Sequence, residues 1–363
     1  MHILMVSLDY IPTVGGITAH VHELSKALTS IGCKVSVATK FVTSKQEKFE
    51  TLENIDIYRF DLKYFGLTYG YQINRFLKKL TNQHKFDIIH IHGMRPLEFY
   101  NIKSVPLVYT NHTSGFLKRI KKGGYRLSIL KRLFRKPDLF LAPSQELLDV
   151  PFSIRAKKKF ISNGVISDKF SRNEEVRKSL RAELKIANDE KLAIVTRRMV
   201  WKNGVSYLAK ATQYIKNSNL KLLFIGDGEE FNQIKDILEK NFAGRYILLG
   251  AKKHHEIIDY YSAADFSILP SLMEATSISG LEAMASSLPL VGTDVGGIPV
   301  ILKDGINGYL CKSADEKDLA FAIDRLLDSN LEEMGKESKK MVDEDFDWIT
   351  IAKQTLEQYE SVV

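Results

Sequence analysis

Residues 270–299, PSLMEATSISGLEAMASSLPLVGTDVGGIP, constrain this chain more than any other stretch. They follow an apolar run, Phe266-Ser267-Ile268-Leu269, of the kind a strand buried on both faces requires. A polar loop, Glu274-Ala275-Thr276-Ser277, then leads into apolar positions at helical spacing: Ile278, Leu281, Met284 and Ala285. A second apolar run at 288–291 ends in Val295-Gly296-Gly297-Ile298-Pro299. Strand, polar loop, helix and strand make one βαβ unit with its loop at the carboxyl end of a strand. Open α/β sheets bind ligands at that end. The free amides and dipole of the following helix favour an anion there.

Two carboxylates punctuate the stretch. Glu274 stands before the helix and Glu282 inside it, both able to face a ligand. Ser279-Gly280-Leu281-Glu282 also fits a capping box, in which Glu282 would only tie down an amide. Glu274 could equally be a solvated loop residue.

The chain has 363 residues, too many for one ordinary core, and suits two domains. No apolar run approaches the roughly 20 residues of a membrane span. The N-terminus enters a strand pattern without a basic leader, so no secretory signal is expected. Cys33 and Cys311 are too few for a disulfide framework, which fits a reducing cytoplasm. The net charge of +8 favours anionic partners.

In chain order, residues 2–8 read as a buried strand. The loop Asp9-Tyr10-Ile11-Pro12-Thr13-Val14-Gly15-Gly16 and an amphipathic helix follow. Gly15-Gly16 is not the G-x-G-x-x-G dinucleotide fingerprint. The pair would let an amide such as that of Gly16 approach a phosphate or sugar, or would only make a tight turn. His20 lies on the apolar stripe of that helix and reads equally well as a core histidine. His92 and His112 both end strand patterns, and His112 is the stronger ligand candidate.

Between Lys118 and Lys136 lie nine cations and no acid, interleaved with apolar residues. This pattern fits a helix docked on an anionic membrane surface, or a core-facing helix with a solvated basic face. Residues 163–172 read as a hinge before a second α/β series. Arg198 and Lys202 follow a strand at 192–196, spaced to converge on one anion or merely exposed. Gly226-Asp227-Gly228 follows the strand at 221–225.

Together these residues resemble the retaining glycosyltransferases of family 4, the group 1 glycosyl transferases with the GT-B fold. The resemblance covers nearly the whole chain. Glu274 and Glu282 match the family's E-x7-E motif, and Arg198 and Lys202 its donor-phosphate pair. Gly226-Asp227-Gly228 matches its GDG turn, and Gly15-Gly16 its N-terminal glycine loop. Three positions depart from the pattern: Ala275-Thr276-Ser277 replaces the usual GFG, Ile166 replaces an Asp, and Arg197 replaces a Gly.

The resemblance implies two Rossmann-like βαβ domains facing across a cleft. Residues 1–165 would form the acceptor side, with 348–363 crossing back to it, and 166–347 would bind a nucleotide sugar such as a UDP- or GDP-sugar. Glu282 would hold the ribose and Glu274 a sugar hydroxyl. Arg198 and Lys202 would neutralise the departing diphosphate, and His112 would contact the sugar. Gly226, Asp227, Gly16 and the amides of Thr276, Ser277 and Ile278 would complete the donor site. Retention of configuration is implied, with no metal and no cofactor beyond the co-substrate. The acceptor is read as a lipid or lipid-linked glycan at the inner membrane face, reached through the basic stretch 118–136. A soluble small molecule or polysaccharide end is the alternative acceptor. A GT-B epimerase or phosphorylase and a non-catalytic sugar binder are rival readings. No helix-turn-helix, zinc or aromatic-platform motif supports a nucleic-acid partner.

Overall fold

A computed structural model describes residues 1–13, 15–43, 45–62, 68–112, 120 and 123–363. The chain divides into two compact units, Met1–Gly164 with Trp348–Val363, and Val165–Asp347.

The first unit runs β1 (His2–Ser7), α1 (Gly16–Ser30), β2 (Lys34–Lys40), β3 (Phe49–Leu52), β4 (Ile55–Phe60), α2 (Thr68–Gln83) and β5 (Ile88–His92). It continues through α3 (Met94–Glu98), β6 (Leu107–Thr110), α4 (Gly124–Leu133), β7 (Leu139–Ala142), α5 (Gln145–Leu148) and β8 (Lys157–Phe160). Its sheet order is β3-β4-β2-β1-β5-β6-β7-β8. All pairings are parallel except the edge strand β3, which runs antiparallel to β4. Strands such as β5, IIHIH, are buried along their whole length because helices cover both faces of a parallel sheet.

The second unit begins with α6 (Glu174–Glu183), β9 (Lys191–Thr196), α7 (Val205–Ala211), β10 (Leu220–Ile225), α8 (Phe231–Asn241) and β11 (Tyr246–Leu248). It continues with α9 (His254–Ala263), β12 (Phe266–Leu269), α10 (Ile278–Ala285), β13 (Leu290–Thr293) and α11 (Ile298–Ile301). β14 (Gly308–Cys311), α12 (Glu316–Leu327) and α13 (Leu331–Met341) complete it. The six strands are ordered β11-β10-β9-β12-β13-β14, all parallel. Alternate residues feed two separate cores, as the two-residue period of a strand dictates. Ala193, Val195, Leu222 and Phe224 pack under α7, α8 and α12. Leu192, Ile194, Leu223 and Ile225 pack on the other face with α9 and α10.

The last helix, α14 (Trp348–Glu360), returns to the first unit and packs along α1. There Trp348 lies so close to Gly164 that a Cβ at position 164 would fall 2.6 Å from its ring. Buried Tyr359 reaches the sheet, its hydroxyl 2.6 Å from Nδ1 of His90.

Three elements carry too weak a sequence pattern to be read in advance. β3 (FETL) is short and largely exposed, β14 (GYLC) opens on a glycine, and the only partly buried α13 contains Gly335.

Candidate functional site

In the second unit the chain leaves β9 for β10 on one side and returns to β12 on the other. This order reversal opens a crevice at the carboxyl ends of β9 and β12. The loop after β9 carries Arg197, Arg198 and a 3-10 turn at Trp201–Asn203. The loop after β12 carries Ser271 to Ser277. The two are tied together: the Lys202 carbonyl accepts the amides of Leu272 (2.9 Å) and Met273 (3.2 Å). Asn203 braces the first loop by donating to the Arg198 carbonyl at 2.8 Å. The side chains of Arg198 and Lys202 are exposed and have no ion pair or hydrogen bond among the described residues. They are two uncommitted cations on one short loop.

Glu274 is committed. Its Oε2 lies 2.5 Å from Nη1 of Arg197, and Arg197 Nη2 donates to Ser277 Oγ at 2.7 Å. Both side chains of the ion pair are largely buried, at 10% and 16% exposure. Arg197 Nε is buried without a partner among the described residues. The side chain that stands where the family pattern has glycine therefore holds two other site residues in place.

Ser277 caps α10, accepting the amide of Gly280 at 3.1 Å. The amides of Ser277 and Ile278 have no acceptor among the described residues. Thr276 is buried beside them. Because the helix starts at Ile278, Ser279 is not its cap, and the capping-box alternative for Glu282 fails. Glu282 instead faces α9. Its Oε1 lies 2.6 Å from His254 Nε2, and its Oε2 accepts from the Tyr261 hydroxyl at 3.2 Å. Burial, and then the charge of Glu282, push the Tyr261 hydroxyl well above its usual pKa. The Glu282 carboxylate is thus buried but oriented by hydrogen bonds.

The loop after β10 completes this side. Gly226 has φ +147, and a Cβ there would sit 1.9 Å from the Arg197 carbonyl oxygen. Only glycine lets this turn lie against the Arg197–Met199 backbone. The Asp227 carbonyl accepts the Met199 amide at 3.0 Å, and its carboxylate accepts the Gly228 amide at 2.7 Å.

In the first unit the order reversal falls between β1 and β5. Gly16 opens α1 there. Gly15 is extended (φ 172), neither glycine lies in the left-handed region, and an added Cβ at either meets nothing within 4 Å among the described residues. His92 ends β5, and His112 follows β6 on the neighbouring strand. His92 Nδ1 and His112 Nε2 share a hydrogen bond of 2.9 Å. His20 reaches the same place from α1, its ring centroid 4.5 Å from that of His112. His20 Nδ1 is oriented by Asn163 Oδ1 at 2.9 Å. One nitrogen from each of the three imidazoles lies within 4.8 Å of the others, a spacing from which they could hold a divalent metal.

The group 1 glycosyl transferase family model matches residues 176–343, and the family 4 glycosyltransferase model matches residues 14–169. The chain belongs to the group 1 glycosyltransferases of family 4. An uncharacterised glycosyltransferase of Methanocaldococcus jannaschii is 27% identical to it over 99% of this chain and 98% of its own length. The alpha-monoglucosyldiacylglycerol synthase of Acholeplasma laidlawii is also 27% identical, over 87% of this chain and 86% of its own. Among solved structures, Anabaena HepE in complex with UDP superposes with a TM-score of 0.80 at 19% identity, covering 99% of this chain and all of that one. The fold of this glycosyltransferase is GT-B.

Within each unit, the residues singled out in the transferase sequence gather at carboxyl strand ends. Arg198, Lys202, Glu274, Thr276, Ser277, Ile278, Glu282, Gly226 and Asp227 do so in the second, and Gly16 and His112 in the first. Sequence reasoning missed Arg197, His254 and Tyr261 as partners of the two glutamates. His254 follows a strand as its neighbours do, so the strand-end rule alone would have marked it.

The basic stretch of the transferase is only partly described. Lys118, Arg119, Lys121 and Lys122 lie outside the described residues. Lys136 is not part of a solvated face: its Nζ donates to the carbonyls of Leu97 and Glu98 at 2.7 Å each, and burial lowers its pKa to about 8. Arg132 and Arg135 are exposed. No helix among the described residues is long and apolar enough to cross a membrane.

Burial holds His20 down to about 4 from 6.5, and His90, His92 and His112 well below 6.5. The transferase is therefore expected to lose stability as pH falls from 6.5 toward 4. In that window the unfolded chain binds protons that the folded chain refuses, so stability rises with pH. Each histidine contributes a slope of up to about 1.4 kcal/mol per pH unit. Urea midpoints at pH 7 and pH 5 measure this, and His20→Gln is expected to flatten the difference. Equal midpoints in the wild type would contradict it.

Proposed function

We propose that this transferase moves a hexose-type sugar from a nucleotide-sugar donor to an acceptor hydroxyl with retention of configuration. The observation that carries this reading is the pairing of two oriented glutamates with two uncommitted cations around one strand-end crevice. Glu282, already hydrogen-bonded, is suited to accept from ribose hydroxyls. Glu274, positioned by its ion pair with Arg197, is suited to accept from a sugar hydroxyl. Arg198 and Lys202 offset the charge that grows on the diphosphate as its bond to the anomeric carbon breaks. The free amides of Ser277 and Ile278 add donors to the same anion, and His112 contacts the sugar. The acceptor oxygen attacks the face that the diphosphate leaves, and its proton passes to the departing phosphate. No step calls for a metal ion. The HepE complex with UDP supports a uridine nucleotide as the first donor to test.

The acceptor is proposed to be a membrane lipid or lipid-linked glycan, with the enzyme peripheral at the cytoplasmic face. The name of the Acholeplasma relative, a glucosyldiacylglycerol synthase, supports this, as do the cations of residues 118–136. A soluble acceptor is the alternative.

A thermal-shift screen of UDP-, GDP- and ADP-sugars tests the reading, because a donor that binds only the folded chain raises Tm with concentration. One sugar nucleotide at a hundred times its Kd is expected to add about 2.7 kcal/mol. That donor, supplied with labelled sugar, then decides between vesicle lipid and soluble glycan as acceptor. No shift with any nucleotide sugar would reject the donor assignment.

A further inference from the structure

The first unit contains a cavity separate from the histidines. It has a volume of about 360 Å³ and is lined by Phe41, Phe60, Phe76, Lys48, Arg59, Arg75 and Lys79, with Asp61 and Gln72. That volume lies within the range of small-molecule sites. Its floor is formed where β2 and β4 end, the edge at which α/β sheets bind ligands. Phe60 and Phe76 pack there with tilted rings, centroids 4.6 Å apart.

Arg59 is the unusual residue. It occupies the face of β4 that carries Ile55 and Ile57, where the strand alternation calls for an apolar side chain, and its side chain is 2% exposed. Nη1 donates to the Glu47 carbonyl and Nη2 pairs with Glu50 at 2.5 Å. Nε is buried with no partner among the described residues. With both Nη groups committed and Nε out of reach of solvent, Arg59 lies behind the cavity wall as a buried cation and offers no contact atom to a ligand. Glu50 offsets the Arg59 charge, and the remaining lining charges among the described residues are Lys48, Arg75 and Lys79 against Asp61. The cavity therefore carries a surplus of cations above an aromatic floor.

We propose that this cavity binds a phosphate monoester that carries an apolar chain, the phosphate meeting the exposed Arg75 and Lys79 and the chain lying on Phe41, Phe60 and Phe76. The site goes beyond the transfer reaction proposed above and does not rest on it, since binding is read directly. The same chemistry is presented by the headgroup of phosphatidic acid and by a soluble alkyl phosphate.

Isothermal titration of the full chain with octyl phosphate, octanol and inorganic phosphate tests the proposal. Octyl phosphate is expected to bind once per chain, at least about tenfold more tightly than either fragment alone, since it joins the charged and apolar contacts. Arg75→Ser with Lys79→Ser, both on the exposed face of α2, is expected to weaken it at least about tenfold while melting remains unchanged. Phosphatidylcholine vesicles with and without phosphatidic acid separate the sources. Sedimentation with phosphatidic acid that octyl phosphate reverses assigns a lipid headgroup, and octyl phosphate binding without sedimentation assigns a soluble ester. Both results support the site. Absence of octyl phosphate binding, an affinity no better than octanol's or phosphate's, or an unchanged affinity in the double variant would overturn it.

Discussion

Glu282→Ala and Arg198→Ala are each expected to lower turnover about a hundredfold, equivalent to about 3 kcal/mol of lost transition-state stabilisation. The two substitutions are informative together because their structural risks differ. Arg198 is exposed and without a partner among the described residues, so its loss removes a charge and no packing. Glu282 is buried, but Tyr261 keeps its hydrogen bonds to Thr196 at 2.6 Å and Ser279 at 3.1 Å when Glu282 is truncated. Both variants should therefore melt near the wild type. Single-turnover rates separate the contributions: Arg198→Ala lowers the chemical step, whereas Glu282→Ala also raises the donor KM. Wild-type turnover in either folded variant would remove that residue from the site.

Gly297→Ala is expected to cost about 2 to 3 kcal/mol of stability, a fall of roughly 5–10 °C in the Tm of a unit of this size. It should also abolish most activity. The reason is steric. Gly297 has φ −95, which alanine adopts freely, so no backbone preference is violated. An added Cβ would nevertheless lie 1.6 Å from the Ala275 carbonyl oxygen and 2.7 Å from its carbon. Those are backbone atoms and cannot rotate aside. The Gly297 amide also donates to the Glu274 carbonyl at 3.2 Å, so the loop that must retreat is the one that carries Glu274 and Thr276. Differential scanning calorimetry and donor turnover measure the two effects, and a variant with unchanged Tm would show that the loops are not in contact.

The parts of this site legible in the sequence are those with a local signature. The apolar runs locate β9, β10 and β12, and each strand's carboxyl end then marks its loop. Glu274 and Glu282 stand at a fixed spacing within one such loop and helix. What holds them is not local. His254 and Tyr261 lie 28 and 21 residues before Glu282, and Arg197 lies 77 before Glu274. Each pair meets only because the sheet order sets distant strands side by side. His20 shows the complementary limit: its place on an apolar helix stripe correctly gives burial, yet burial does not distinguish a packed ring from one grouped with His92 and His112. The helix start is a third case. Ser279 and Glu282 satisfy the spacing of a capping box, but the cap is Ser277 and the chain becomes helical at Ile278, so a motif read two residues out of register names the wrong partner.

The return of α14 to the first unit has a consequence for synthesis. The ribosome emits Met1–Gly164, then all of Val165–Asp347, and only afterwards the helix whose Tyr359 hydroxyl satisfies His90 in the middle of the first sheet. The second unit is an uninterrupted segment and can close as soon as it emerges. The first must wait with a strip of its sheet and α1 uncovered, so the half that is translated first is the half that is finished last.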